Sequence, residues 1–200
     1  TLYVMHARRT DSPVLDLTLL RLPTLRASIY GGFLFRLGVG ALPFLLPLLM
    51  QIGFGLSPFS SGLVTFSSAV GAMGMKTLAA RIIRTFGFRN IMSVNALVSA
   101  VFLAACALFT VSTPLLLIVI ILIVGGFFRS LQFTALNTLA YADIEPEKMS
   151  RATPLVSVAQ QLSVSAGVAI GAFSVEATLV LGHTSELTAK EFGPAFVVVG

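Results

Sequence analysis

Five apolar stretches separated by short turns constrain this chain more than any other feature. They are Ala27–Gln51, Pro58–Ala79, Asn90–Val111, Leu115–Ala140 and Pro154–Leu181, and a sixth begins at Phe196. Each reaches roughly the 20 residues that an α-helix needs to cross about 30 Å of hydrocarbon. Only 10% of the residues are charged and 56% are hydrophobic, where soluble domains carry about 25% charge. A soluble fold of 200 residues has nowhere to hide that much apolar surface, so lipid is the expected solvent. The apolar runs show no strict alternation. That argues against a β-barrel and for helices, which satisfy their own backbone groups. The expected fold is an all-α membrane bundle of five complete transmembrane helices plus the start of another.

The net charge of +5 and a pI near 10.0 resemble a nucleic-acid signal, but the basic residues flank the spans and form no stripe on a soluble surface. No nucleic-acid partner is expected. Arg8, Arg9, Arg21 and Arg26 precede the first span; Lys76, Arg81, Arg84 and Arg89 follow the second; Lys148 and Arg151 follow the fourth. The opposite turns, around 53–57 and 112–113, carry no basic residue, and only Lys190 falls on their side. By the positive-inside rule the basic turns are cytoplasmic and the first span runs outward. Residues 1–26 read as a cytoplasmic linker with the end of a preceding helix at 1–5, and 27–200 as the helix bundle. The chain thus reads as a fragment of a longer one. Within the linker, Leu15, Leu17, Leu19, Leu20 and Leu22 suggest a short amphipathic segment lying on the membrane surface. Pro58, Pro114 and Pro154 sit at or near span starts, where a missing N–H costs little. Pro43 and Pro47 lie inside the first span, where proline bends or breaks a helix.

Arg36 and Arg129 lie inside apolar spans, where an arginine costs roughly 2.5–3.5 kcal/mol at the bilayer centre on insertion scales. On a helical wheel, Gly32, Arg36, Gly40, Pro43 and Pro47 share one stripe. This stripe reads as a small, cationic, substrate-facing wall, with Phe33 beside it, or as a packing groove from which Arg36 snorkels. Arg36 lies ten residues past Arg26, about 15 Å along the axis, which is deep for snorkelling. In the fourth span Gly125, Gly126, Arg129, Gln132 and Asn137 share a broad face. Gln132 and Asn137 could orient the arginine or a ligand, or Arg129 could pair with a carboxylate on a helix outside this chain. In the fifth span Ser163, Gly167 and Gly171 form a small-xxx-small ladder suited to close helix contact, and Gln160 or Gln161 could face the interior; Gln161 is carried forward as the pathway candidate. Glu176, the one acid inside a span, is a candidate proton carrier if an apolar site raises its pKa, or a residue reaching interfacial water.

Other chemistries find little support. His6 and His183 are far apart and far from Cys106, so no metal set forms; the single cysteine permits no internal disulfide and reads as a small apolar filler. No Walker-type phosphate loop is present. No catalytic constellation appears, so no enzyme activity and no cofactor are expected.

The turn Gly74–Arg89 ends in Phe86-Gly87-Phe88-Arg89 and resembles the cytoplasmic signature loop of the major facilitator superfamily, Asp-Arg-x-Gly-x-Arg/Lys. Gly74, Arg84, Gly87 and Arg89 fall on it, with Arg84 where the motif's acid would stand. The run from Leu42-Pro43-Phe44 through Gln51-Ile52-Gly53-Phe54-Gly55-Leu56-Ser57-Pro58-Phe59, together with Gly71–Lys76 and Asn137-Thr138-Leu139, is more specific. It is similar to the EmrB/QacA drug:proton antiporter branch and, within it, to MdtD-type multidrug exporters. The resemblance implies the C-terminal six-helix half of a 12- or 14-helix transporter with alternating access. Spans one, two, four and five would line its cavity, and span three would be peripheral. It implies proton-coupled efflux across the bacterial inner membrane. The partners would be a small-molecule substrate, protons, the lipid bilayer and the N-terminal half of the same protein. The two buried arginines add an expectation of their own, a preference for an anion, an organic acid or its metal chelate. A non-transporting scaffold or sensor module is the alternative reading.

Overall fold

A computed structural model describes residues 15–182 and 189–200. Expectations placed on 1–14 and 183–188, including the helix end at 1–5, Arg8, Arg9, His6 and His183, lie outside the described residues; so does the side chain of Lys190. Among the described residues, five helices are long and apolar enough to cross a membrane: α1 (Pro23–Gly53), α2 (Pro58–Phe86), α3 (Phe88–Leu108), α4 (Leu115–Tyr141) and α5 (Pro146–Leu181). A sixth, α6, runs Ala189–Val199. It starts seven residues before the expected Phe196, because Ala-Lys-Glu-Phe-Gly already forms its first turns despite their polarity. α1 likewise begins at Pro23, where a proline at the first helical position costs no hydrogen bond, and α2 continues past Ala79 to Phe86.

The helix starts and stops follow from local chemistry. Ser57 caps α2, its hydroxyl accepting from the Ser60 N–H at 3.2 Å, with Pro58 at the first position. α2 ends at Gly87, whose φ of +74° belongs to the region glycine enters without strain. Pro43 and Pro47 do not break α1, in contrast to one reading of the sequence: the α-helix is continuous from Gly32 to Leu48. Two π-turns, Ala27–Gly31 and Leu49–Gly53, flank it. Pro154 also sits within a helix and not at its start.

The packing is built on two close helix pairs. α2 lies against α4, and α1 against α5. In the first pair a Cβ on Gly71 would collide with the Ile123 carbonyl and one on Gly126 with the Ser68 carbonyl; in the second, Gly167 meets the Leu37 carbonyl and Gly40 the backbone of Val164. Backbones approach this closely only where side chains are absent, which is how helices associate when lipid removes the hydrophobic drive. Large apolar side chains such as Leu34, Phe59, Leu116 and Phe173 cover the outside at 70–80% exposure, as a lipid-facing surface requires.

The leucine-rich segment before α1 departs from expectation. Leu17–Arg21 forms a short 3₁₀ turn, and of its leucines only Leu17 stays exposed. Leu19 and Leu25 are buried with Ala140, Ile144, Ala152, Leu155 and Val156, and Leu15, Leu20 and Leu22 pack around them. The segment finds a better apolar partner in the ends of α4 and α5 than an interface offers.

Candidate functional site

Arg129 is the charged side chain that meets open space between helices. It lines a groove of about 400 Å³ between α1, α2 and α4, walled by Leu42, Pro43, Leu46, Pro47, Thr65 and Phe66. The position follows from helix geometry. Side chains lean toward the N-terminus of their helix, and the Arg129 guanidinium lies beside Gly125, where a Cβ would sit 3.6 Å from Nη1. Pro43 and Pro47 contribute carbonyls as well as shape. A proline removes the donor for the carbonyl four residues earlier, which frees those of Val39 and Pro43, and both residues line the groove.

Arg36 is treated differently by the fold. It is 1% exposed and lines none of the cavities described. Its Nη1 donates to the Ser28 carbonyl at 3.1 Å, and Ser28 Oγ donates to the Leu136 carbonyl at 2.8 Å, tying α1 to α4. The Arg36 Nε and Nη2 groups have no partner among the described residues. Gly32, expected to pack helices, makes room both for this guanidinium and for α4: a Cβ there would lie 2.6 Å from Nη1 and 3.1 Å from Leu136 Cδ1. The ion pairs Lys148–Glu145 and Arg151–Asp16 involve neither buried arginine.

The other candidates are dispersed. Gln132 turns away from the Arg129 groove toward α3, accepting from Asn95 Nδ2 at 2.9 Å and donating to the Met92 carbonyl at 3.2 Å. Asn95 also donates to the Phe128 carbonyl at 3.0 Å. Asn137 accepts from Gln160 Nε2 at 2.7 Å, so the interior glutamine of α5 is Gln160, while Gln161 is exposed. Gly40 lies in the α1–α5 contact. Phe33 is 39% exposed. Ser163 is buried, its hydroxyl bonded to the Ala159 carbonyl, and Gly171 meets Ala41 and Leu45. Glu176 is exposed on α5. In the signature loop Gly87 makes the turn, and Gly74, Arg84 and Arg89 are exposed.

Ser28 and Asn95 carry no site expectation from the sequence, whereas Gln160 stands there as the alternative to Gln161. Asn95 offered a signal, being an amide inside an otherwise apolar span. Ser28 offered none, since its role depends on the π-turn at Ala27–Gly31.

The fold and the groove define a multi-pass α-helical membrane protein with a cation-lined cleft between its spans. Residues 6–174 match the family model of the Major Facilitator Superfamily, and the chain belongs to that superfamily, as the signature loop implied. It is 37% identical over 173 residues to "Putative multidrug resistance protein MdtD" of Enterobacter sp. (strain 638), an alignment covering 84% of this chain and 36% of that protein. The proteins of the same name from Salmonella heidelberg (strain SL476) and Salmonella typhi are 36% identical over the same shares. The chain therefore spans about 36% of the length of the curated relatives it matches. No solved structure matches it.

Proposed function

We propose that this chain forms the C-terminal half of a secondary active efflux transporter of the multidrug-resistance type. It exchanges substrate for protons by alternating access across the bacterial inner membrane. The observation that carries the reading is Arg129, a cation in mid-span that opens on a groove between α1, α2 and α4 and has no carboxylate partner among the described residues. Family membership and the relatives' multidrug-resistance name support a transporter. A permanent guanidinium facing a cleft with apolar walls favours an anion, an organic acid or its metal chelate. The freed carbonyls of Val39 and Pro43 would accept hydrogen bonds from the same ligand, and Glu176 is the candidate proton carrier. Arg36, enclosed against Ser28, serves the scaffold of this site.

The test is uptake by inside-out proteoliposomes of the intact protein under an imposed proton gradient, comparing organic anions, free and metal-bound, with lipophilic cations. Anion uptake that Arg129→Ala abolishes is the expected result. Cation uptake that survives Arg129→Ala would overturn the anion preference, and absence of any gradient-driven flux would leave a scaffold or sensor.

A further inference from the structure

The apolar cluster around Leu19 sits directly outside a cluster of polar groups in which Ser28 and Arg36 are buried and Asn137 and Gln160 half-buried. Leu25 lies three residues before Ser28, Ala140 three residues after Asn137, and Val156 four residues before Gln160, each about one helical turn. Within that turn are the Arg36–Ser28, Ser28–Leu136 and Asn137–Gln160 contacts. Leu19, Leu25, Ala140, Ala152, Leu155 and Val156 thus cap α1, α4 and α5 at the end that carries the basic turns.

Leu19 alone of these six comes from outside the spans. It rests on a five-residue 3₁₀ turn, a form with strained hydrogen-bond geometry. Asp16 starts that turn by accepting from the Thr18 N–H at 3.0 Å, and its other oxygen lies 3.8 Å from Arg151 Nη1 at the start of α5. Lys148, the other cation nearby, is held by Glu145 at 2.7 Å, which leaves Arg151 as the partner of Asp16. Arg151 is half exposed.

We propose that residues 15–22 form a releasable strap. It seals the polar cluster around Arg36 from the aqueous phase at the basic end of the bundle, and the Asp16–Arg151 pair tunes its release. The strap inserts Leu19 as a plug between α1, α4 and α5; when it lifts, water reaches Ser28 and then the unpaired donors of Arg36. The seal is local to this end and does not depend on which compound, if any, the groove at Arg129 carries.

The test uses the purified intact protein in nanodiscs, with two readouts. Limited chymotrypsin digestion measures cleavage after Leu20, a half-buried site that every variant below keeps and whose cleavage requires the strap to lift. Phenylglyoxal modification, read by peptide mass, measures access to Arg36. Asp16→Arg and Arg151→Asp, each alone, are expected to speed cleavage about two- to fivefold, the range an exposed ion pair supplies. The double exchange Asp16→Arg/Arg151→Asp is expected to restore the wild-type rate. Leu19→Asp is expected to speed cleavage at least about tenfold and to raise Arg36 modification in parallel; Leu19→Ala, which keeps the segment apolar, gives a smaller rise and covers the case in which the aspartate variant fails to fold. Unchanged cleavage in both Leu19 variants, or a double exchange as fast as the single ones, would overturn the strap. Faster cleavage without a matching rise in Arg36 modification would overturn the seal.

Discussion

Arg36 and Arg129 stand on antiparallel spans and send their guanidinium groups toward opposite ends of the bundle. Arg36 reaches back along α1 to the Ser28 carbonyl, and Arg129 back along α4 toward Gly125. Each obeys the rule that helical side chains lean toward their own N-terminus. The two charges therefore do not form one site. One is enclosed by protein, and the other opens on a groove.

That separation makes the two arginines respond differently to substitution. Arg129→Ala is expected to remove ligand binding in the groove while leaving the thermal midpoint in detergent within a few degrees. Arg36→Met is expected to hold or raise the midpoint, because it replaces a buried cation with unpaired donors by an apolar chain of similar length. Thermal unfolding of both variants, with binding of the transported compound measured alongside, checks the pair. A large loss of stability in Arg36→Met would show that its bond to Ser28 outweighs the burial cost.

Glycine contacts set the stability of the bundle. Gly71→Val and Gly126→Val would drive side chains into the carbonyls of Ile123 and Ser68. They are expected to lose at least about 1–3 kcal/mol, the usual cost of overpacking. Gly62→Ala and Gly74→Ala meet open space inside α2 and are expected to gain up to about 1 kcal/mol, since alanine favours a helix interior over glycine. Denaturant titration of the four variants in mixed micelles distinguishes them.

Asn95 and Gln132 are coupled across the α3–α4 contact. A double-mutant cycle of Asn95→Ala and Gln132→Ala is expected to show a coupling of about 0.6 kcal/mol and no more than about 1.7, the range found for polar contacts between membrane helices. Gln132→Ala alone is expected to leave ligand affinity in the Arg129 groove unchanged, since its amide faces α3. A substantial fall in affinity would return Gln132 to the groove.

Gly87→Ala places a Cβ at φ +74° and is expected to destabilise the α2–α3 turn by about 1–2 kcal/mol. Nothing lies within 4 Å of that Cβ, so the cost would be conformational, and with ψ at +153° the backbone lies outside the left-handed region that asparagine tolerates, so Gly87→Asn should recover none of it. Unfolding midpoints of the two variants supply the comparison.

Much of the architecture was legible because lipid imposes simple rules. Length and hydropathy alone located the five spans, and the Ser163-Gly167-Gly171 ladder marked one face that packs, with Gly167 and Gly171 meeting α1. The ends of the spans were less legible. α2 and α6 extend into polar sequence, where backbone hydrogen bonding continues although the apolar signal has stopped. The wheel that joined Arg36, Gly40, Pro43 and Pro47 into one stripe could not say which neighbour each of them meets. In the structure Gly40 is taken by Val164 of α5, while Pro43 and Pro47 face the groove of Arg129.

The sequence by itself determined that this chain crosses a membrane as helices, where they cross, and to which superfamily it belongs, because each of those depends on residues near one another in the chain. Only the tertiary structure decided which polar groups share a space. It paired Gln132 with Asn95 and Asn137 with Gln160, enclosed Arg36 over Gly32, and left Arg129 on a groove. The physical reason is that these assignments depend on the rotation of each helix about its axis. That rotation is set by which glycine backbones meet on neighbouring helices, a relation between residues far apart in the chain.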